Sequence, residues 1–101
     1  MGYVRIDTVN NGQQIIDGKR ILNVNLDSSG GYIEFILDFF DSTANQPSQI
    51  KLNAVGGAGS LDASTLIQYN SAVISAQNNL VVDITPLSGQ EILDVEYNPA
   101  P

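Results

Sequence analysis

The chain contains no cysteine, no histidine and no tryptophan. Without cysteine there are no disulfides, no thiolate zinc sites and no thiol nucleophile. Without histidine, proton transfer near neutral pH would fall to a perturbed carboxylate, lysine or tyrosine. The Ser–His and Cys–His pairs of the common hydrolases are excluded as well. Bases are scarce too: Arg5, Lys19, Arg20 and Lys51 stand against 11 acids, for a formal net charge of −7. Four bases build no patch able to neutralise a phosphate backbone, so nucleic acid is not an expected partner. An anionic membrane surface is disfavoured on the same ground. No stretch approaches 18 consecutive apolar residues, and the start Met1-Gly2-Tyr3-Val4-Arg5-Ile6-Asp7 lacks the apolar run of a signal peptide. Gly2 does not fit a myristoylation motif, because Ile6 stands where Ser or Thr is required.

What is present is a chain of 101 residues, the size of one domain with one core. Charged residues make up only 15% of it, so its polar surface must be built largely from neutral Asn, Gln, Ser and Thr. The residues divide into a single β-rich domain over 1–97 and a short proline-containing tail over 98–101.

The hydrophobic pattern has period two over most of the chain. Val4 and Ile6 alternate with Tyr3, Arg5 and Asp7, as in a half-buried strand. Asn11-Gly12 and Asp17-Gly18 are both two-residue hairpin signals. With Leu22, Val24 and Leu26 as the inward set of a third strand, they predict an N-terminal antiparallel meander. Tyr32 to Asp41 is the most hydrophobic strand, with Ile33, Phe35, Leu37 and Phe39 on one face. Gln49 to Val55, Leu80 to Thr85 and Glu91 to Tyr97 complete the strand set.

The segment 61–76 reads two ways. Leu61, Thr65, Tyr69, Val73 and Ala76 fall at helical spacing, with Ser60 or Asp62 available as an N-cap. Its wealth of Ser, Thr, Asn, Ile and Val favours strand. The fold class expected is therefore all-β: an antiparallel sandwich or jelly-roll-like barrel of 7–8 short strands, with a single helix near 61–76 as the alternative for that segment.

No residue set points to catalysis. Glu34 and Asp38 would sit about 13 Å apart on one strand face, and Asp94 and Glu96 roughly 7 Å. Carboxylates at such distances could flank a glycosidic bond, but no tryptophan is there to stack a sugar, so the chain is read as non-enzymatic. No cofactor is expected. Gly56-Gly57-Ala58-Gly59-Ser60 lacks the lysine of a phosphate-binding loop and reads as a flexible connection or contact loop. Asp38, Asp41 and Ser42, where a strand runs into a loop, are weak calcium candidates, with turn capping the plainer reading.

Tyr3, Tyr32, Phe40, Tyr69 and Tyr97 are candidates for exposure, and Tyr32 and Phe40 share the outer face of one strand. Tyr32, Phe40, Gly56, Gly57 and Gly59 are the candidate partner contacts. An acidic, amide-rich β-domain without a catalytic set is expected to act by assembly: it would bind a protein lattice or oligomer, as capsid decoration or fibre proteins of virus particles do, or self-assemble, for instance as a homotrimer. The compartment expected is then the virion or the extracellular space. The alternative is a carbohydrate-binding or adhesion module on a β-sandwich.

Overall fold

The computed structural model describes residues 2–41 and 46–98, with strand ends 39–41, 46–47 and 98 described by backbone alone. Seven strands and one helix follow in the order β1 (Tyr3–Thr8), β2 (Gly12–Asp17), β3 (Ile21–Leu26), β4 (Tyr32–Asp41), β5 (Gln46–Ala54), α1 (Ala63–Gln77), β6 (Val81–Ile84) and β7 (Ile92–Asn98). The strands form one mixed sheet in the order β2-β1-β7-β5-β4-β3, with β6 also pairing β1. The sheet is not closed into a barrel. The fold is thus β-rich with one helix, and the expected antiparallel sandwich or jelly roll is corrected to a single mixed sheet. The reason lies in the helix: it provides the crossover that lets β6 lie parallel to β1, with Tyr3 opposite Val81 and Ile6 opposite Ile84.

Segment 61–76 is helical, against the compositional preference for strand. Asp62 caps the helix, its side chain accepting from the Ser64 and Thr65 backbone N–H groups, while the Thr65 hydroxyl accepts from the Asp62 N–H. Thr65, Tyr69, Ala72, Val73 and Ala76 are buried on one stripe. Tertiary burial of that stripe outweighs the weak helix propensity of its residues. Tyr69, expected among the exposed aromatics, is fully buried, and its ring meets Phe35 at 6.4 Å between centroids.

The N-terminal meander is half right. β1 and β2 form a hairpin with Thr8 opposite Gly12. Its loop is Val9 to Asn11, with positive φ at Gly12 but not at Asn11, so it is a three-residue turn rather than the two-residue type. The Thr8 hydroxyl organises it, donating to Gly12 O and accepting from the Asn11 N–H. At Asp17-Gly18 there is no hairpin. Asp17 caps a 3-10 turn over Gly18–Arg20 instead, and β3 leaves β2 to pair with β4. Gly18 is buried against the helix: a Cβ there would stand 2.5 Å from that of Ala76. That close approach, not a positive φ, is what the glycine serves.

A bulge explains the remaining mismatch. In the β3–β4 ladder the register shifts between Ile21 and Asn23. Ile21 and Val24 therefore both point inward, and Leu22, expected in the core, is 67% exposed. The core gathers Val4, Ile6, Ile33, Phe35, Leu52 and Ile92 from the sheet and Tyr69 and Ala76 from the helix, all fully buried. Each large side chain in that set contributes roughly 1.5–3 kcal/mol by leaving water. The helix touches β3, β6 and β1, on the inward face of the sheet. The outward face carries no layer formed by the described residues.

Candidate functional site: the outward sheet face

Pairing register places the outward residues in rows. Asn25, Glu34, Lys51 and Glu96 line up across β3, β4, β5 and β7. Tyr32, Asn53 and Asp94 form the next row. Ile36 and Gln49 belong to a third, beside Asn23. These side chains face out because the residues between them on each strand, such as Ile33, Phe35, Ile50 and Leu52, face the core.

The face is held in shape by its own contacts. The Lys51 ammonium sits 4.7 Å from the centre of the Tyr32 ring. Asn53 Nδ2 donates to Asp94 Oδ1 at 2.7 Å, and Asn23 Nδ2 to Asn25 Oδ1 at 3.3 Å. Burial pushes the Tyr32 phenol above its ordinary value, while Lys51 pulls the other way. At the end of the row, Asp27 accepts from the Ser29 hydroxyl and its carboxyl is held below the usual range. The result is a polar surface with Glu34, Glu96 and Asp94 around Lys51, on which Tyr32, Lys51, Asn53 and Asp94 are already oriented.

On the three-stranded part of the sheet, β2-β1-β6, the outward face is different. Arg5 and Asp83 are register partners on neighbouring strands. Arg5 donates to both Asp83 oxygens, Nη2 to Oδ2 at 2.8 Å. The guanidinium holds the Asp83 carboxyl below its ordinary value, and Arg5 is itself raised by the same hydrogen bond. A surface hollow of about 440 Å³ lies over them, lined also by Asp7, Gln13, Thr85 and Pro86. Among the described residues lining the hollow, Arg5 is the single cation, and it already spends two donors on Asp83. Ile15 and Val81 flank the pair, 58% and 52% exposed.

The sequence candidates distribute as follows. Tyr32 lies on the outward face beneath Lys51. The Phe40 and Asp41 side chains and all of Ser42 lie outside the described residues. Asp38, the third calcium candidate, accepts from Arg20 Nε at 3.4 Å. Among the described residues no group of three or more acidic side chains could hold a metal ion.

The Gly56 to Ser60 loop is pinned rather than loose. The Gly59 N–H donates to Ser29 O and the Leu61 N–H to Gly30 O, while the Gly57 N–H donates to Ala54 O at the end of β5 and the Ser60 N–H to Gly57 O. Gly57 and Gly59 have φ of 70° and 85°. With those amides occupied, the loop offers little to an anion.

What sequence reading missed is Gln90, its bond with Thr65, and the outer side of β6. The Thr65 hydroxyl donates to Gln90 Oε1 at 2.5 Å, and Gln90 Nε2 reaches Asp62 Oδ1 at 3.2 Å. This buried chain ties the β6–β7 connection to the helix start. A lone glutamine in a loop carries no sequence signal for it. Among the described residues, no helix is long and apolar enough to cross a membrane.

In comparison with known proteins, no family model matches the chain, and no curated protein or solved structure matches it either.

Proposed function

We propose that this chain is an assembly protein that docks on a protein lattice or oligomer, in the manner of a capsid decoration or fibre protein of a virus particle. One observation carries the reading: an outward sheet face with no layer of described residues over it, whose Tyr32, Lys51, Asn53 and Asp94 are held in place before any partner arrives. Preorganised side chains lower the ordering cost of binding, and a polar, net-acidic face with an aromatic ring in it suits a protein surface of complementary charge. The carbohydrate-binding alternative has less support, because the Tyr32 ring that would stack on a sugar is covered by Lys51.

The test is cosedimentation of the purified protein with assembled capsid or fibre proteins encoded beside its gene. Lys51→Glu, which reverses the central charge of the face, should abolish retention while circular dichroism stays unchanged. Retention on a glycan array, with none on any such particle, would overturn the assembly reading in favour of the carbohydrate module.

A further inference from the structure

A second open surface lies along β6. Among the described residues, β6 pairs with β1 on one side only. The Tyr3 N–H donates to Leu80 O, which sets the alternation of the parallel ladder: the backbone groups of residues 80, 82 and 84 face β1. Those of Val81 and Asp83 face away. Among the described residues, one hydrogen bond reaches that outer side, from Gln68 Nε2 to Thr85 O at 2.6 Å. A groove of about 240 Å³ runs along this edge under the flank of α1, lined by Gln68, Ser71, Ser75, Val82 and Asp83 among others. Gln68 Oε1 is buried in its wall without a partner.

We infer that this edge takes a second copy of the chain, two β6 strands pairing antiparallel about a two-fold axis at Val82. The inference is separate from lattice docking and shares with it only the premise that the chain works by assembly. Its ground is self-complementarity. The outward groups occur at two residues, two apart, so a two-fold places Val81 opposite Asp83 of the other copy. Each such pair exchanges two hydrogen bonds, four in all. No outward N–H or C=O of Val81 or Asp83 is left over.

Charge singles out this edge from the others. Two copies at −7 each repel, so contact is favoured where acids are compensated. The acid within β6 is Asp83, and Arg5 of the same copy neutralises it. The remaining edges carry devices that blunt pairing. β3 has its bulge at Leu22. On β7, the Asn11 side chain takes the Val95 N–H at 3.0 Å. On β2 the device is charge: Asp17 has no ion-pair partner among the described residues, so pairing two copies there would bring uncompensated acids together. β6 carries Val81, Val82, Asp83 and Ile84, with neither lysine, proline nor bulge.

Size and shape complete the case. Leu80 and Val81, 56% and 52% exposed, would be covered by the added strand. Ser71 and Ser75 on the flank of α1 leave room for the second helix. A four-residue edge with one helix flank falls below the roughly 1,200 Å² of a stable interface, which places the dissociation constant between about 1 µM and 1 mM.

Sedimentation velocity from about 0.1 µM to about 1 mM spans that range. The expected result is a monomer that becomes a dimer with rising concentration, with the Val81 and Asp83 amides gaining hydrogen-exchange protection in step. Val81→Pro removes an outward donor and no bond to β1, so it should hold the chain monomeric with its circular dichroism intact. Ser71→Arg, at an exposed groove-lining position of the helix, should raise the dissociation constant at least tenfold and guards against a misfolded proline variant. A monomer throughout, a trimer, or a dimer indifferent to both substitutions overturns the inference. A monomer that still cosediments with particles would overturn it and leave the lattice-docking function standing.

Discussion

The two parts of the sheet are built from different distances along the chain. In β3-β4-β5 each strand pairs with the next one in sequence, and β7 returns antiparallel to close the set. In β2-β1-β6 the central strand is antiparallel to a near neighbour and parallel to a strand 78 residues away. The first part owes its cohesion to long ladders and to Phe35, Ile33 and Leu52 at their middle. The second owes it to α1, which covers Val4 and Ile6 and meets the backbone at two glycines: a Cβ on Gly2 would lie 1.6 Å from Ala76 O, and one on Gly18 2.5 Å from Ala76 Cβ. Local pairing tolerates a bulge at Leu22. Non-local pairing leaves little tolerance at the helix seam.

The largest expected effect tests the shared centre. Phe35 is fully buried in β4 and touches the helix through Tyr69. Phe35→Ala should cost about 3–5 kcal/mol, the usual range for emptying an aromatic core site, measured by urea unfolding. If the two parts unfold as one unit, the midpoint drops with no second transition. A biphasic curve would show that β2-β1-β6 survives on its own, and would break the comparison into two independent parts.

The seam comes next. Gly18→Ala places a methyl where Ala76 already stands, for an expected loss of about 1–3 kcal/mol by overpacking. The double variant Gly18→Ala, Ala76→Gly should lose less than the two single variants together, because the clash is between those two residues. Strict additivity would show that Gly18 matters for some other reason. An equal loss on substituting exposed Gly12 by Ala would not bear on the seam, since Gly12 has open space but a φ of 68°.

This division also explains what could be read from the sequence. The period-two alternation of Ile33, Phe35 and Leu37, and of Ile50, Leu52 and Ala54, identified the inward face of β4 and β5 correctly, because each pattern sits inside one strand. The parallel pairing of β1 with β6 has no local signature, so the meander through Asp17-Gly18 was the natural but mistaken reading. Helix α1 was legible in its spacing and obscured in its composition: Leu61, Thr65, Tyr69, Val73 and Ala76 are all buried as the helical pattern requires. Of the candidate contact surface, Tyr32 was visible as an outward aromatic. Its cover, Lys51, and the pairing of Asn53 with Asp94 depend on cross-strand register, which single-strand periodicity does not contain.

A smaller effect appears in alkali. The Tyr69 hydroxyl is buried without a partner, and burial pushes its phenol far above the ordinary value of 10.0. The folded protein therefore keeps this proton where the unfolded chain releases it. Stability linked to Tyr69 is intact below about pH 10 and declines as the pH rises beyond it. Tyr69→Phe removes both the unpaired hydroxyl and that linkage. The variant should be no less stable at pH 7 and should unfold at higher pH than the parent in an alkaline titration. Greater loss in the variant would mean that the hydroxyl has a partner, and that the helix joins the two parts of the sheet through a polar contact.

The smallest effect belongs to the surface of the three-stranded part. Arg5 and Asp83 are exposed, with side chains 38% and 60% accessible, and a pair so solvated adds little to stability. What it does shift is titration. Asp83 accepts both Arg5 bonds, so its carboxyl ionises below its ordinary value. A depressed carboxylate contributes above its unfolded value, and the contribution fades as the pH falls through the folded one. In Arg5→Gln the Asp83 midpoint, followed by carboxyl NMR, should move up to the ordinary range, with the neutral-pH unfolding midpoint nearly unchanged. Because Arg5 also compensates the one acid within the β6 strand, the same variant should weaken self-association by adding an unpaired charge to each copy. An unmoved Asp83 midpoint would mean that the ion pair is not formed in solution. The three-stranded part would then depend on α1 and the glycine seam alone, which is the sharpest form of its contrast with the four-stranded ladder.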